Sequence, residues 1–207
     1  MTGPAFYLFD LDGTLVDSSP VHERAYRQVL ADLHPALLPD FGYRAISGLT
    51  TLDAFRSLGL DDALSRKATL RKQSLYREMV RTVPAMPGAF MLLEKLKTRG
   101  AAIAIVTSAS RVSATRTLEA TGLHPFVAAL VTADDVTKGK PDPEPYRTAL
   151  TRLNADPAKT IAVEDALSGI ASAHAAGVKV IGVHEPAIRD KADTYFDDLA
   201  AFARALT

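Results

Sequence analysis

The chain has 207 residues, enough for one large domain or for a core carrying a modest insertion. Apolar residues make up 47%, yet no run approaches the roughly 18 uninterrupted apolar residues of a membrane-spanning helix, and the N-terminus lacks the basic and apolar regions of a secretory leader. Cysteine is absent and 24 acidic residues balance 24 basic ones, which excludes disulfides, thiolate metal sites and cysteine nucleophiles and argues against a nucleic-acid surface built on bulk charge. A cytoplasmic protein with neither a membrane nor a nucleic-acid partner is expected.

In chain order, the apolar run Ala5–Phe9 reads as a buried strand and ends in Asp10 and Asp12, followed by Gly13, Thr14 and a second short apolar pair. Two carboxylates one residue apart repel each other unless a cation or a proton sits between them, so this strand end is a candidate site. About ninety residues with mostly helical patterning come next. Pro20 after Ser18 and Ser19 marks a helix start, and Ser18, His22 and Tyr26 recur every four residues on one face. Leu64, Ala68, Leu75 and Met79 also keep helical spacing, and Thr82–Ala89 (TVPAMPGA) reads as a return linker. Phe90–Lys97 reads as a helix of the core, with Gly100 near its end.

Strand signals then fall at Ala101–Val106, Ala128–Thr132, Thr160–Val163 and Lys179–Val183. The helical runs between them, Arg111–Thr121, Glu144–Leu153 and Leu167–Ala176, lead to the stop residues Gly122, Asn154 and Gly177. This alternation predicts an α/β fold. Residues 1–17 and 85–207 form a Rossmann-like parallel-sheet core with helices on both faces, and 18–84 form an inserted α-helical cap.

Four groups of chemically capable residues fall at the C-terminal ends of predicted strands: Asp10-Leu11-Asp12-Gly13-Thr14, Thr107-Ser108, Lys140 in GKPDPEPY, and Glu164-Asp165. In a parallel sheet these ends face one crevice. Together they supply what phosphoryl transfer requires. A carboxylate can attack phosphorus, acidic groups can hold Mg²⁺, a lysine can neutralise phosphoryl charge, and a hydroxyl with backbone N–H groups can bind the remaining oxygens. Taken singly, Thr107 also reads as a helix N-cap, Lys140 as a solvated loop lysine and Glu164-Asp165 as a second N-cap pair.

In this order and spacing the motifs resemble those of the haloacid dehalogenase superfamily of aspartate-nucleophile phosphotransferases, in its phosphoglycolate phosphatase and β-phosphoglucomutase branch. The stretch DLDGTLVDS, Asp10–Ser18, is the most specific of them. The resemblance covers nearly the whole chain and implies a helical cap that closes over the site. It implies Asp10 as the nucleophile and Asp12 as the general acid and base, with the Asp12 backbone carbonyl also a metal ligand. It implies Thr107, and the Ser108 backbone N–H, as phosphate-binding groups. It implies Lys140 as the lysine that steadies the nucleophile and the phosphoryl group, and Asp165 with Glu164 as Mg²⁺-binding acids. A metal-bound, lysine-paired Asp10 is expected to keep a low pKa, and Asp12, off the metal, to hold a proton more readily.

The resemblance also shows departures. A second aspartate, Asp12, disfavours the dehalogenase branch. The mutase branch carries a lysine just before the glycine of the cap loop and an arginine a few residues later, where this chain has Ser47 and, approximately, Thr51. Ala166 stands where many relatives carry serine after the last acidic pair. Arg44, in Arg44-Ala-Ile-Ser-Gly48, resembles a cap arginine that meets a substrate anion, but taken singly it reads first as an exposed surface arginine. His22 is either a cap-hinge histidine near the general acid or a helix-face residue. Arg66–Arg81, with six basic residues and one acid, reads as a solvated helix face with a steering role as its sharper alternative. The expected activity is a Mg²⁺-dependent phosphatase of small phosphorylated metabolites, either sugar phosphates or short phosphorylated acids. A phosphomutase and a non-catalytic binding protein are the alternatives.

Overall fold

The computed structural model describes residues 5–206. Its strands are β1 (Phe6–Phe9), β2 (Ala102–Val106), β3 (Ala129–Val131), β4 (Thr160–Glu164), β5 (Lys179–Val183) and β6 (Thr194–Phe196). All pair in parallel, in the order β3-β2-β1-β4-β5-β6. The chain lays down β1, β2 and β3 towards one edge, then restarts beside β1 with β4 and runs to the other. The reversal between β1 and β4 opens a crevice beyond their C-terminal ends, where open α/β sheets bind ligands.

Side-chain alternation along the strands divides the core. Tyr7, Phe9, Ile103, Ile105 and Val163 face a cluster closed by α4 (Ala89–Thr98), α5 (Arg111–Ala120) and α8 (Leu199–Ala205). Leu8, Ala104, Val106, Ala162 and Val180 face the opposite cluster, closed by α6 (Glu144–Leu153) and α7 (Leu167–Ala175). With both faces covered, the strands read as nearly continuous apolar runs, which is why they are visible in the sequence. The sixth strand and α8 are not. Thr194–Phe196 is three residues long and half exposed, so it carries little apolar signal.

The long gap after β1 holds α1 (Ser19–Leu33), α2 (Thr51–Ser57) and α3 (Asp62–Met79). Thr50 and Asp61 accept backbone N–H bonds at the starts of α2 and α3. The three helices bury a separate core of Tyr26, Val29, Leu30, Phe41 and Phe55. The two chain crossings between this unit and the sheet are paired with each other. Val16 bridges Ala85, Asp17 N–H donates to the Pro84 carbonyl, and Met86 N–H donates to the Leu15 carbonyl. We propose this paired crossing as the hinge line, with 18–84 as the cap. Among the described residues no helix is long and apolar enough to cross a membrane.

One polar staple fixes the β3 edge beside the crevice. The Asp135 carboxylate accepts from Arg111, Arg152 and both the backbone N–H and hydroxyl of Thr132. Burial alone would raise its pKa, but Arg152, Arg111 and Thr132 outweigh burial and hold it well below the usual carboxylate range. Its stabilising contribution is therefore complete above the unfolded value of about 4 and is lost as pH falls through the depressed folded value. Asp135→Asn is expected to lower the unfolding free energy by about 2 kcal/mol at pH 7. The gap to the parent should narrow between pH 4 and pH 2 in chemical denaturation; a gap independent of pH contradicts this account.

Candidate active site

β1 stops at Phe9, and the Asp10 N–H still bonds the Val163 carbonyl of β4, so Asp10 is the first residue of the crevice. The turn that follows is tight. Gly13 has φ +94, and a Cβ there would overlap the Asp165 carboxylate, so only glycine lets Asp165 lie against this turn. The Thr14 hydroxyl donates to Asp165 Oδ1 at 3.1 Å. Asp10, Glu164 and Asp165 each offer an oxygen within 4.8 Å of the others.

Lys140 reaches this cluster from the loop before α6. Its Nζ donates to Asp10 Oδ1 and to Glu164 Oε1, both at 2.6 Å, and is almost fully buried. Tyr146 on α6 donates its hydroxyl to the same Glu164 Oε1 at 2.5 Å, leaving Oε2 as the second oxygen of that carboxylate. Burial alone would lower the Lys140 pKa, but Asp10 and Glu164 outweigh burial and hold it above the usual lysine range. Three carboxylates against one ammonium remain short of positive charge. Burial, with Glu164, Asp165 and Asp12 opposing Lys140, pushes Asp10 well up, and burial with Glu164 raises Asp165 to about 7.

Asp12 has different company. Its Oδ1 accepts from the Ser18 hydroxyl at 2.6 Å and from His22 Nε2 at 3.1 Å, and its Oδ2 accepts from the Thr107 hydroxyl at 3.3 Å. Burial raises its pKa, but His22, Ser18 and Lys72 bring it down to about 2. Asp10 is crowded by other acids, whereas Asp12 is surrounded by donors. Behind His22, the Lys72 ammonium lies 2.6 Å from Nδ1. A lysine ammonium only donates, so Nδ1 accepts and Nε2 carries the proton given to Asp12. Burial, then Lys72, lowers the His22 pKa, and burial brings Lys72 down to about 8.

The fold brings together Asp10, Asp12, Thr107, Ser108, Lys140, Glu164 and Asp165, all lining one crevice of about 60 Å³ between cap and core. The Asp12 carboxylate lies outside the three-acid cluster. The Ser108 hydroxyl donates to the Gly48 carbonyl of the cap at 3.0 Å, tying the two units together at the crevice. Arg44 is not brought in. Its side chain is 94% exposed, 3.7 Å from Glu185, and does not line the crevice. Lys72 is the residue that sequence reasoning missed. It sits inside a basic helical run, yet it is buried between the rings of Tyr26 and Tyr76. Its spacing from Ala68 and Tyr76, four residues each way along the buried face, is the signal that distinguishes it from its exposed neighbours.

With this geometry in hand, residues 7–183 match the family described as Haloacid dehalogenase-like hydrolase. The chain is 33% identical to validoxylamine A 7'-phosphate phosphatase of Streptomyces hygroscopicus subsp. limoneus, over 93% of this chain and 92% of the relative. It is 36% identical to hexitol phosphatase A of Escherichia coli, over 87% and 83%. The crystal structure of a hydrolase from Pseudomonas syringae superposes with a TM-score of 0.88 at 25% identity, covering 98% and 97% of the two chains. The chain belongs to the haloacid dehalogenase-like hydrolase family. Within it the chain falls in the phosphoglycolate phosphatase and β-phosphoglucomutase-like subfamily, and with its curated relatives it is a phosphatase.

Lys140→Met leaves buried carboxylates without their ammonium and is expected to lower the unfolding free energy by about 3–5 kcal/mol. Adding Glu164→Gln removes one of those charges, so the double variant should be more stable than the sum of the two single losses allows. Urea denaturation of the four proteins measures this; strict additivity contradicts the coupling.

Proposed function

We propose that this phosphatase hydrolyses small phosphate monoesters, sugar phosphates or short phosphorylated acids, with Mg²⁺ and through an aspartyl-phosphate on Asp10. The observation that carries the reading is the buried Lys140–Asp10–Glu164 array beside Asp165, with a separately hydrogen-bonded Asp12 across the crevice. Mg²⁺ fits the donor set. Asp10, Glu164 and Asp165 present hard oxygen ligands, all within 4.8 Å of one another, as an oxygen-ligated dication requires. The raised pKa values of Asp10 and Asp165 mark a cluster that a cation stabilises. Asp10, Glu164 and Asp165, with the Asp12 backbone carbonyl, would hold the ion, which would supply charge stabilisation to the phosphoryl oxygens.

The protein's own groups then carry two displacements. In the first, an Asp10 oxygen attacks phosphorus while the bond from phosphorus to the leaving oxygen breaks, and Asp12 gives that oxygen a proton. In the second, Asp12 takes a proton from water, whose oxygen attacks phosphorus as the bond to Asp10 breaks. Lys140 holds the attacking carboxylate in place and offsets charge on the phosphoryl group. Thr107, with the N–H of Ser108, binds the remaining oxygens. An arriving phosphate dianion raises the Asp12 pKa from its resting low value, towards the protonated form the first step needs. The Ser108–Gly48 contact favours a cap closed on the core, which keeps bulk water out during the first displacement. The same proposal places the reaction in the cytoplasm, where a cysteine-free chain needs no oxidising environment.

A panel of phosphate monoesters tests it. Inorganic phosphate release should require Mg²⁺, stop with EDTA and fall at least about a thousandfold in Asp10→Asn. Retained hydrolysis in Asp10→Asn contradicts the covalent route, and isomerisation of a sugar phosphate without net release favours a mutase.

A further inference from the structure

We infer that Gln73 reads the leaving group, and that the crevice prefers monoesters of neutral, hydroxyl-bearing compounds over esters whose leaving group carries a carboxylate or a second phosphate. This rests on the phosphatase reading above and narrows the substrate class within it.

The polar side chains on the cap side of the crevice are mostly engaged within the protein. The Tyr43 hydroxyl faces Ser47, that of Tyr26 faces Thr51, and the Lys72 ammonium is bonded to His22. Gln73 differs. It lies next to Lys72 on α3, half-buried and lining the crevice, and its carboxamide has no partner among the described residues. A carboxamide offers two N–H donors and a carbonyl acceptor. A hydroxyl both gives and takes a hydrogen bond and can answer either end. A carboxylate or a phosphate dianion only accepts, so it uses the N–H end of Gln73 alone and leaves the carbonyl without a donor.

The charge of the crevice points the same way. Asp10, Asp12, Glu164 and Asp165 line it, and among the described residues the lysines and arginines that line it are Lys72 and Lys140. Lys140 is held between two of the acids. Lys72 is enclosed by two tyrosine rings, its ammonium on His22, and burial has already weakened its hold on a proton. Arg44, which sequence reading offered to a substrate anion, is turned out to solvent beside Glu185. A second anionic group on the substrate therefore enters a site whose lysines are committed to the acids and to His22 and whose Mg²⁺, in the reading above, would be committed to the acids and the transferring phosphate, whereas a neutral alcohol meets the free amide.

Two esters of equal carbon number isolate the effect: glycerol 3-phosphate ends in CH₂OH where 3-phosphoglycerate ends in a carboxylate. The protein with Mg²⁺ should show a kcat/KM at least about tenfold higher for glycerol 3-phosphate. Gln73→Leu should lower that value about tenfold, mainly through KM, and leave propyl phosphate, which has no further hydroxyl, within about twofold. Gln73→Asn should restore part of the loss, and Gln73→Lys should raise turnover of 3-phosphoglycerate relative to glycerol 3-phosphate. Preference of the parent protein for 3-phosphoglycerate overturns the inference while leaving the phosphatase reading intact. An equal fall on glycerol 3-phosphate and propyl phosphate in Gln73→Leu makes Gln73 a structural residue and also overturns it. No phosphate release from any of the three esters removes the phosphatase reading and this inference together.

Discussion

The buried ammonium of Lys140, held 2.6 Å from both Asp10 and Glu164, is the interaction on which the site depends. Like charges on neighbouring strand ends cannot share a buried space without a counter-charge, and removing one member of such an array leaves an uncompensated ion. The sheet order makes the meeting possible. β1 and β4 are hydrogen-bonded neighbours, so Asp10 and the Glu164-Asp165 pair emerge side by side, and the loop before α6 brings Lys140 over them. Tyr146 completes the array from below, its hydroxyl on Glu164 and its ring packed in the second core cluster.

The two aspartates of the first motif are separated by environment more than by distance. Asp10 faces acids and a lysine. Asp12 faces Ser18, Thr107 and the His22–Lys72 pair. The second set comes from both units: Thr107 from the core, Ser18 from the start of α1, His22 and Lys72 from cap helices α1 and α3. Cap position and the proton affinity of Asp12 are therefore linked. Any motion that carries α1 and α3 away removes two of the groups that keep Asp12 ionised. Tyr76 anchors this arrangement, with its ring stacked on His22 at 4.3 Å and its hydroxyl on Thr117 of α5 at 3.0 Å.

Much of this was legible in the sequence because a buried parallel strand writes itself as an unbroken apolar run. Five strands, the helices between them and the four motif positions follow from that pattern. β6 was not legible, since three half-exposed residues among charged neighbours leave no such run. α2, seven residues with two of them buried, is equally faint. Lys72 was hidden by the opposite problem. Its basic neighbours make a strong surface pattern that masks its four-residue spacing from Ala68 and Tyr76, and the tertiary packing of Tyr26, Tyr76 and His22 turns this one lysine inward. Arg44 shows the limit of motif spacing in the other direction, because spacing does not say where a long side chain points.

The central claim is that the Asp10 carboxylate itself takes the phosphoryl group. Acyl phosphates are reduced by borohydride, so quenching the enzyme in mid-turnover with labelled borohydride and mapping the modified peptide by mass spectrometry addresses it directly. The account predicts label on residue 10 alone, dependent on substrate and Mg²⁺ and absent from Asp10→Asn. Label on another carboxylate, or none while phosphate is still being released, would contradict it.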